Sequence, residues 1–309
     1  MIYELSPNDS INDTLKYCIK NDEIRLSNGI YREKIIVSVE GVTIVGESKD
    51  KVIITNKDYF YKIMEDHNEC NTFRTYTVAV TADNVKLRNL TIENTSVPCE
   101  KYGQAVALHA DGNNFLCDNV ILRSEQDTLF TGPLPPDLII RHQGFLKEEF
   151  LKGTPTKQIY SECDIYGNVD FIFGSAIALF SNCNIISVSR RGKEQESYVT
   201  APSHDKDMKF GYLFFKCNLI NQTQNEGKVY LSRPWRDYGT VAFIKCNMEN
   251  HINPEGFINW GKTERYKTAR FYEYTENIDL SKRIKWAHIL NKDEAKNYCN
   301  EFMEYLKKE

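Results

Sequence analysis

The sequence lacks any hydrophobic run approaching the roughly 20 residues that a transmembrane helix requires. It also lacks an excess of positive charge, because 43 acidic residues outnumber 39 basic ones and the formal net charge is −4. Proteins that bind nucleic acids or anionic membranes generally present a basic face. The charge balance therefore argues against both kinds of partner.

Cysteine pairing patterns are also missing. The nine cysteines are an odd number and form no CxxC motif, which argues against a disulfide framework and against a zinc site. Free thiols in this number suit a reducing compartment. The first residues show neither the basic start nor the apolar region of a signal peptide. We therefore expect a cytoplasmic protein; the alternative is a secreted protein whose leader is missing from this sequence.

Two families of short, strand-like segments alternate along the middle of the chain. Members of the first place Asn or Asp before an apolar stretch, at Asn89, Asn119, Asp164, Asn184, Asn218 and Asn247. In four of them a cysteine comes just before, at Cys163, Cys183, Cys217 and Cys246. The second family comprises TVAVTAD, QAVALHAD, QDTLFTG, VDFIFGS, SYVTAPS and VYLSRPW. Recurrence at intervals of roughly 20 to 45 residues indicates a repeat architecture.

No helical pattern separates successive strands, so a doubly wound α/β sheet is not expected. An all-β fold, a right-handed parallel β-helix, fits better, because each coil then gives one strand to each of several sheets. The asparagines would form amide ladders from coil to coil, and the cysteines would be structural. Short helices after Ser10, with Ile11, Leu15, Cys18 and Ile19 as the apolar face, and from about Ala295 are expected to cap the two ends. We predict one domain, residues 1–309.

Asp127 and Asp170 stand in two similar apolar segments, QDTLF and VDFIFG, where a carboxylate is costly unless it is paired or used. Aligning Thr128 with Phe171 places the two aspartates level on adjacent coils, about 4.8 Å apart. Two carboxyl groups at such a separation titrate at different pKa values, so one is ionised while the other keeps its proton.

The same alignment brings other polar side chains to this pair. It places Val106 at the level of Thr128, and Gln104 therefore beside Gln126. Arg233, in LSRPW, falls on a later strand of the same sheet, where its charge would select the ionised carboxyl group. Each residue alone is more often structural, but together they indicate a site.

Four segments resemble, in the same order, the signature segments of the pectin methylesterases: GQAVAL (103–108), QDTLF (126–130), VDFIFG (169–174) and LSRPW (231–235). The resemblance implies a right-handed parallel β-helix and a carboxylic ester hydrolase. Such an enzyme removes methyl groups from methyl-esterified galacturonate, in pectin or methylated oligogalacturonides, and releases methanol. It further implies no metal or cofactor, and we expect a monomer without nucleic-acid or membrane partners.

The resemblance also implies catalytic roles. Asp170 corresponds to the nucleophile and Asp127 to the general acid and base of an aspartyl acyl-enzyme mechanism. Gln126 and Gln104 correspond to the amides that stabilise the oxyanion. Arg233 corresponds to the residue that orients Asp170 and keeps it charged.

Three further positions correspond to substrate-binding residues: Trp235 contacts the sugar, and Phe173 and Thr72 match subsite positions. Strict alternation along a strand would point Phe173 away from Asp170, so its assignment depends on the resemblance alone.

The sequence departs from the family in several places. Residues 132–157 form an inserted loop just past Asp127, which we expect to rim the cleft, as a lid or as an inert loop. His109 stands where arginine is usual, and we expect it to be structural. Alternative functions are a thioesterase or other acyl-ester hydrolase of the same fold, a polygalacturonase-type glycosidase, and a binding protein with a decayed site.

Overall fold

The computed structural model describes residues 1–190, 196–223 and 226–308. Within these ranges the chain winds into a solenoid whose strands pair in parallel with those of the coils before and after. The coils build three sheets, so the predicted right-handed parallel β-helix is confirmed.

The three sheets differ in length. In spatial order, the 11-stranded sheet contains Ile2–Leu5, Glu23–Leu26, Thr43–Gly46, Lys86–Arg88, Phe115–Asp118, Lys157–Ser161, Ile177–Ser181, Tyr212–Phe215, Thr240–Ile244, Arg270–Tyr274 and His288–Ile289 among the described residues. The seven-stranded sheet contains Val229–Ser232, Ser197–Pro202, Val169–Gly174, Leu129–Thr131, Leu108–Ala110, Val78–Val80 and Ile35–Val37 in the same ranges. The described part of the eight-stranded sheet contains Asn247–Met248, Asn218–Gln222, Asn184–Val188, Asp164–Gly167, Ile121–Arg123, Thr91–Asn94, Val52–Asn56 and Gly29–Tyr31.

Helices are short, apart from the last. The α-helices are Ile11–Leu15, Cys99–Tyr102, Pro136–Arg141 and Lys292–Lys307, and the 3₁₀-helices are Thr72–Arg74, Glu148–Phe150 and Arg265–Lys267. Among the described residues, no helix combines the length and apolar content needed to cross a membrane.

The interior of the solenoid is filled by side chains at equivalent positions of successive coils. The rings of Phe180, Phe214 and Phe243 stack nearly parallel, with centroids 4.4 and 4.6 Å apart. The alternate residues of the same strands face outward, as Ile177 and Leu179 do. Burying a phenylalanine side chain stabilises a fold by roughly 1.5–3 kcal/mol, so this stack is a substantial part of the core.

Amide ladders run between coils as predicted, and the six predicted residues divide between two of them. Asn184 donates to Asp164, Asn218 to Asn184 and Asn247 to Asn218, over 2.7 to 3.0 Å. Asn119 donates to Asn89 in a separate ladder. The two ladders are out of register because Asn89 and Asn119 occupy the left-handed bend (φ 53° each) that precedes the strand. The other four residues begin their strands.

The recurring cysteines form an internal ladder of free thiols. Cys183, Cys217 and Cys246 are buried, and each thiol donates to a carbonyl of the preceding coil over 3.3 to 3.4 Å. Cys163 donates likewise to Cys117. All nine cysteines are free thiols, in agreement with the prediction that they form no disulfide framework.

The two terminal helices behave differently. The first is capped by Ser10, which accepts from the Asp13 amide, and Ile11 and Leu15 cover the core, whereas Ile19 is 63% exposed and does not contribute. The last helix does not cap an open end. Its Phe302 packs on the outward face of the 11-stranded sheet, because that face is itself apolar.

Candidate active site

Both aspartates sit where the backbone leaves regular strand geometry. Asp127 has φ 62° and Asp170 has φ 48°, in the left-handed region that non-glycine residues seldom adopt. At Asp170 the register with the next strand also shifts. Val169 pairs with Tyr198 and Ile172 pairs with Thr200, so the strand that carries Asp170 has one extra residue between the two pairs. This is a β-bulge, a device that re-aims side chains next to active sites.

The bulge explains the position of Phe173. Phe171 and Ile172 both point into the core, and Asp170 and Phe173 therefore both face the outer surface. Strict alternation would have separated them. The same arrangement occurs one coil earlier, where Leu129 is in the core while Asp127 and Phe130 face outward.

The predicted alignment of the aspartates is confirmed. Gln126 bridges Val169, so Asp127 lies level with Asp170 on adjacent parallel strands. The predicted level of the preceding coil was wrong by one residue. The Ala107 amide donates to the Thr128 carbonyl, so Ala107 rather than Val106 lies level with Thr128.

Gln104 consequently does not lie beside Gln126. The Ala105 amide donates to the Gln126 carbonyl, so Ala105 is the neighbour of Gln126 on the preceding coil. Gln104 lies one residue before that position in the chain. The apolar run 105–108 has no alternation that would fix its register, which is why the sequence left this step open to error. Gln104 nevertheless lines the same cleft as Gln126.

Arg233 holds Asp170 from two strands away. Its guanidinium donates from Nε to Oδ1 over 2.8 Å and from Nη2 to Oδ2 over 2.5 Å. The guanidinium lies between two aromatic rings, with its central carbon 3.7 Å from the centroid of Tyr198 and 4.2 Å from that of Trp260. The bidentate pair and the two cation–π contacts fix both the charge and the direction of the Asp170 carboxylate.

The two carboxyl groups have different electrostatic surroundings. Burial raises the pKa of Asp127 far above its usual range, and the charge of Asp170 raises it further. Burial raises the pKa of Asp170 too, and the charge and hydrogen bonds of Arg233 offset only part of that rise. Asp170 is therefore the group that ionises first, and Asp127 keeps its proton.

The aspartates open into a cleft of about 510 Å³. All eight residues that the sequence singled out for the site line it: Thr72, Gln104, Gln126, Asp127, Asp170, Phe173, Arg233 and Trp235. The indole of Trp235 meets the Phe173 ring edge-on at 5.7 Å. The cleft thus combines an ionised and a protonated carboxyl group, two amide side chains and two aromatic side chains.

The inserted loop rims this cleft. Within residues 132–157, Leu138, Arg141 and His142 line it, and Leu138 belongs to a cluster of apolar side chains outside the main core. His109 lies in the same region, fully buried, with its ring centroid 4.5 Å from that of Phe130. Burial lowers the pKa of His109 to about 3, so it is neutral and structural, as expected.

Sequence reasoning missed Tyr198 and Trp260, and although it placed the insertion at the rim of the cleft, it named none of the insertion's lining residues. Tyr198 falls in SYVTAPS, a segment that the strand pattern identified but that no motif singled out. Trp260 follows the last strand of the seven-stranded sheet by 28 residues and lies in INWGKT, where neither strand nor helix periodicity is present. Only the fold brings either ring to Arg233.

One group of possible metal ligands occurs in the described residues: Cys99, Glu100 and Glu125. None of the three lines the cleft, and the Glu125 carboxylate already accepts the Cys99 amide over 2.7 Å. Burial raises the pKa of the Cys99 thiol to about 12, which disfavours the thiolate that a metal would need.

Comparison with known proteins gives consistent matches over most of the chain. The model of the Pectinesterase family matches residues 6–134 and 147–307. Probable pectinesterase/pectinesterase inhibitor 64 of Arabidopsis thaliana is 30% identical, over 89% of this chain but only 43% of its own length. The chain spans less than half of the first curated relatives that it matches.

Two comparisons extend over most of both chains. A pectin methylesterase structure from Yersinia enterocolitica is 26% identical, with a TM-score of 0.74 over 94% of this chain and 96% of the other. Pectinesterase 31 of Arabidopsis thaliana is 31% identical, over 90% of this chain and 81% of that relative. The chain belongs to the pectinesterase family.

Proposed function

We propose that this protein hydrolyses methyl esters of galacturonate and releases methanol. The observation that carries this proposal is the adjacent pair of aspartates in unlike surroundings: Asp170 is ion-paired with Arg233, and Asp127 is buried with a strongly raised pKa. One group is suited to attack and the other to donate a proton. Membership of the pectinesterase family supports the same chemistry.

In the proposed reaction the Asp170 carboxylate attacks the carbonyl carbon of the methyl ester. The charge that develops on the carbonyl oxygen is stabilised by the side-chain amides of Gln104 and Gln126, both of which line the cleft. Donors of this kind often contribute several kcal/mol to stabilising the transition state.

Asp127 completes the first half of the reaction by giving its proton to the departing methanol. This leaves an anhydride between Asp170 and the galacturonate. Asp127, now a carboxylate, takes a proton from a water molecule, which hydrolyses the anhydride and restores both groups. Arg233 serves this cycle by holding Asp170 in one orientation, since its guanidinium is itself held by contacts with two aromatic rings.

The proposed substrate is pectin or a methylated oligogalacturonide. Trp235 and Phe173 offer apolar ring surface beside the reacting carboxylate, which suits the apolar face of a sugar ring. We propose a cytoplasmic location, which the nine unpaired cysteines support, and with it short imported oligogalacturonides rather than polymeric pectin as substrates.

The test is to measure methanol and reducing ends released from methylated galacturonate trimers, hexamers and pectin. The proposal expects methanol without new reducing ends. A rise in reducing ends would indicate a glycosidase, for which two nearby carboxyl groups are also suited. Turnover of acyl-CoA thioesters in place of galacturonate esters would indicate a thioesterase.

A further inference from the structure

The insertion contains an arginine, Arg141, that forms no ion pair with any carboxylate in the described part of the chain, although its charge helps to lower the pKa of Asp137. Among the residues that the structure describes, three arginines line the cleft: Arg233, Arg236 and Arg141. Arg233 is paired with Asp170, and Arg236 donates twice to Asp137, over 3.1 and 2.8 Å. Arg141 is exposed and has no hydrogen-bond or ion-pair partner within the described part of the chain.

The segment that carries Arg141 lies outside the part of the chain that the family model matches. The family model matches residues 6–134 and resumes at 147, so it leaves out 135–146, which include the helix Pro136–Arg141. A feature outside the part that the family shares is a natural place for a specificity that differs between members.

The segment is anchored at both ends across the cleft. On one side Asp137 is bound by Arg236, which follows the strand Val229–Ser232. On the other side the Arg74 guanidinium lies 4.0 Å from the ring centroid of Phe145. Those two contacts belong to coils on either side of the aspartates in the seven-stranded sheet, so the segment forms a fixed wall.

The same wall is also held by apolar packing against the outer face of the seven-stranded sheet. Leu138 and Leu146 are 5 and 6% exposed, in the cluster that also contains Phe130 and Phe173. Arg141 thus projects from an element whose position relative to Asp170 is set. A ligand that binds Arg141 therefore has to order the arginine side chain, and this ordering is the main entropic cost of the contact.

The charges around Arg141 favour an anion. His142 beside it is buried, and burial, with the Arg141 charge, lowers its pKa, so this ring remains neutral. Asp137, one helical turn earlier, is already engaged by Arg236. A guanidinium with five donors and no acceptor suits a planar carboxylate.

We propose that Arg141 binds the free carboxylate of a galacturonate unit next to the one whose ester is cleaved. This inference depends on the proposed function, because the unit that reacts must be a methyl-esterified galacturonate. It makes the chain selective for partly de-esterified oligosaccharides, with the insertion supplying the subsite.

The experiment compares kcat/KM for methanol release from fully methylated trigalacturonate and from trimers with one free carboxylate at either end. The wild-type protein should prefer one of the partly de-esterified trimers by about tenfold, the scale of one charge-assisted hydrogen bond. Arg141→Gln should bring that ratio to about one through KM, and Arg141→Lys should retain part of it. The matched control is Lys147→Gln, an exposed cation of the same insertion outside the cleft, which should keep the ratio.

Each other outcome is decisive. Equal kcat/KM for all trimers with the wild-type protein would overturn the subsite while leaving the esterase intact. An equal loss of kcat/KM for all trimers in Arg141→Gln would also overturn the subsite, because Arg141 would then contact the sugar without distinguishing a carboxylate from a methyl ester. Absence of methanol from every trimer would refute the proposed function itself.

Discussion

At the scale of the residue, two aspartates with the same side chain are given opposite properties by their neighbours. Asp170 receives two hydrogen bonds from Arg233, whereas Asp127 senses that arginine only through its charge. Both carboxyl groups are buried, so each depends on its immediate contacts rather than on water. Burying Asp127 is costly to stability, and functional sites commonly accept such costs.

This cost leads to a prediction for Asp127→Asn. Because the folded pKa of Asp127 is raised, the folded protein keeps a proton that the unfolded chain releases above a pH of about 4. Wild-type stability is therefore lost as pH rises from about 4, and asparagine, which does not titrate, avoids that loss. Denaturant unfolding should show a stability advantage for Asp127→Asn that grows between about pH 4 and pH 8.

Asp66→Asn is the control, since Arg74 holds the pKa of Asp66 down at about 2. A lowered pKa contributes stability that is fully present above the unfolded value of about 4 and is lost as pH falls towards the folded value of about 2. Asp66→Asn should therefore differ from the wild-type protein by a constant amount between about pH 4 and pH 8, and that difference should shrink only below about pH 4. A constant difference between Asp127→Asn and the wild-type protein across the pH range would contradict the protonation that we assign to Asp127.

A second prediction concerns Tyr198, which touches Arg233 but does not line the cleft. Tyr198→Leu removes one of the two rings that fix the guanidinium and should lower kcat by up to about tenfold. KM should change little, because Tyr198 acts through Arg233 on Asp170. Steady-state kinetics would check this, and Tyr198→Phe, which keeps the ring, should have a kcat close to that of the wild-type protein. Equal losses of kcat in both variants would contradict the role of the ring contact.

At the scale of the element, the sequence predicted two of the three sheets. Its two families of segments correspond to the seven-stranded and eight-stranded sheets, because Asn, Cys and the apolar runs repeat at matching positions. Strands of the 11-stranded sheet, such as Lys86–Arg88, carry no common polar marker and were not recognised.

The bulge at Asp170 was beyond sequence reasoning. Alternation along a strand assumes extended geometry at every residue, and the left-handed conformation of Asp170 breaks that assumption. The motif resemblance gave the correct side for Phe173 where alternation gave the wrong one. The one-residue error at Gln104 has the related cause that the apolar run before His109 fits two registers equally well.

Amphipathic spacing likewise predicted the last helix but not what it covers. Phe302 is fully buried against the outer face of the 11-stranded sheet, while Met303 on the same helix is 40% exposed. Phe302→Ala should lower the free energy of unfolding by about 3–4 kcal/mol, as for other buried large-to-small changes, and Met303→Ala by less than about 1 kcal/mol. Denaturant unfolding of both variants tests this, and equal effects would contradict the packing that we describe.

At the scale of the whole molecule, the solenoid brings together residues that are far apart in the chain. The cleft is lined by Thr72, Gln104, Asp170 and Trp260, which belong to different coils or to the loops between them. Parallel strands of successive coils stack about 4.8 Å apart, so an interval of 43 residues between the two aspartates becomes one step of the ladder. The insertion forms one wall of the cleft, although it contributes no strand to the seven-stranded sheet that carries the aspartates.

The most direct test of the central claim is methanol release from a methylated trigalacturonate by Asp170→Asn. Asparagine is nearly the same shape but is a poor nucleophile, so the rate should fall by about 10³-fold or more while circular dichroism shows a folded protein. Asp127→Asn, measured beside it, should be similarly impaired because the leaving methanol lacks its proton donor. Retention of more than about one tenth of the wild-type rate by folded Asp170→Asn would contradict the account.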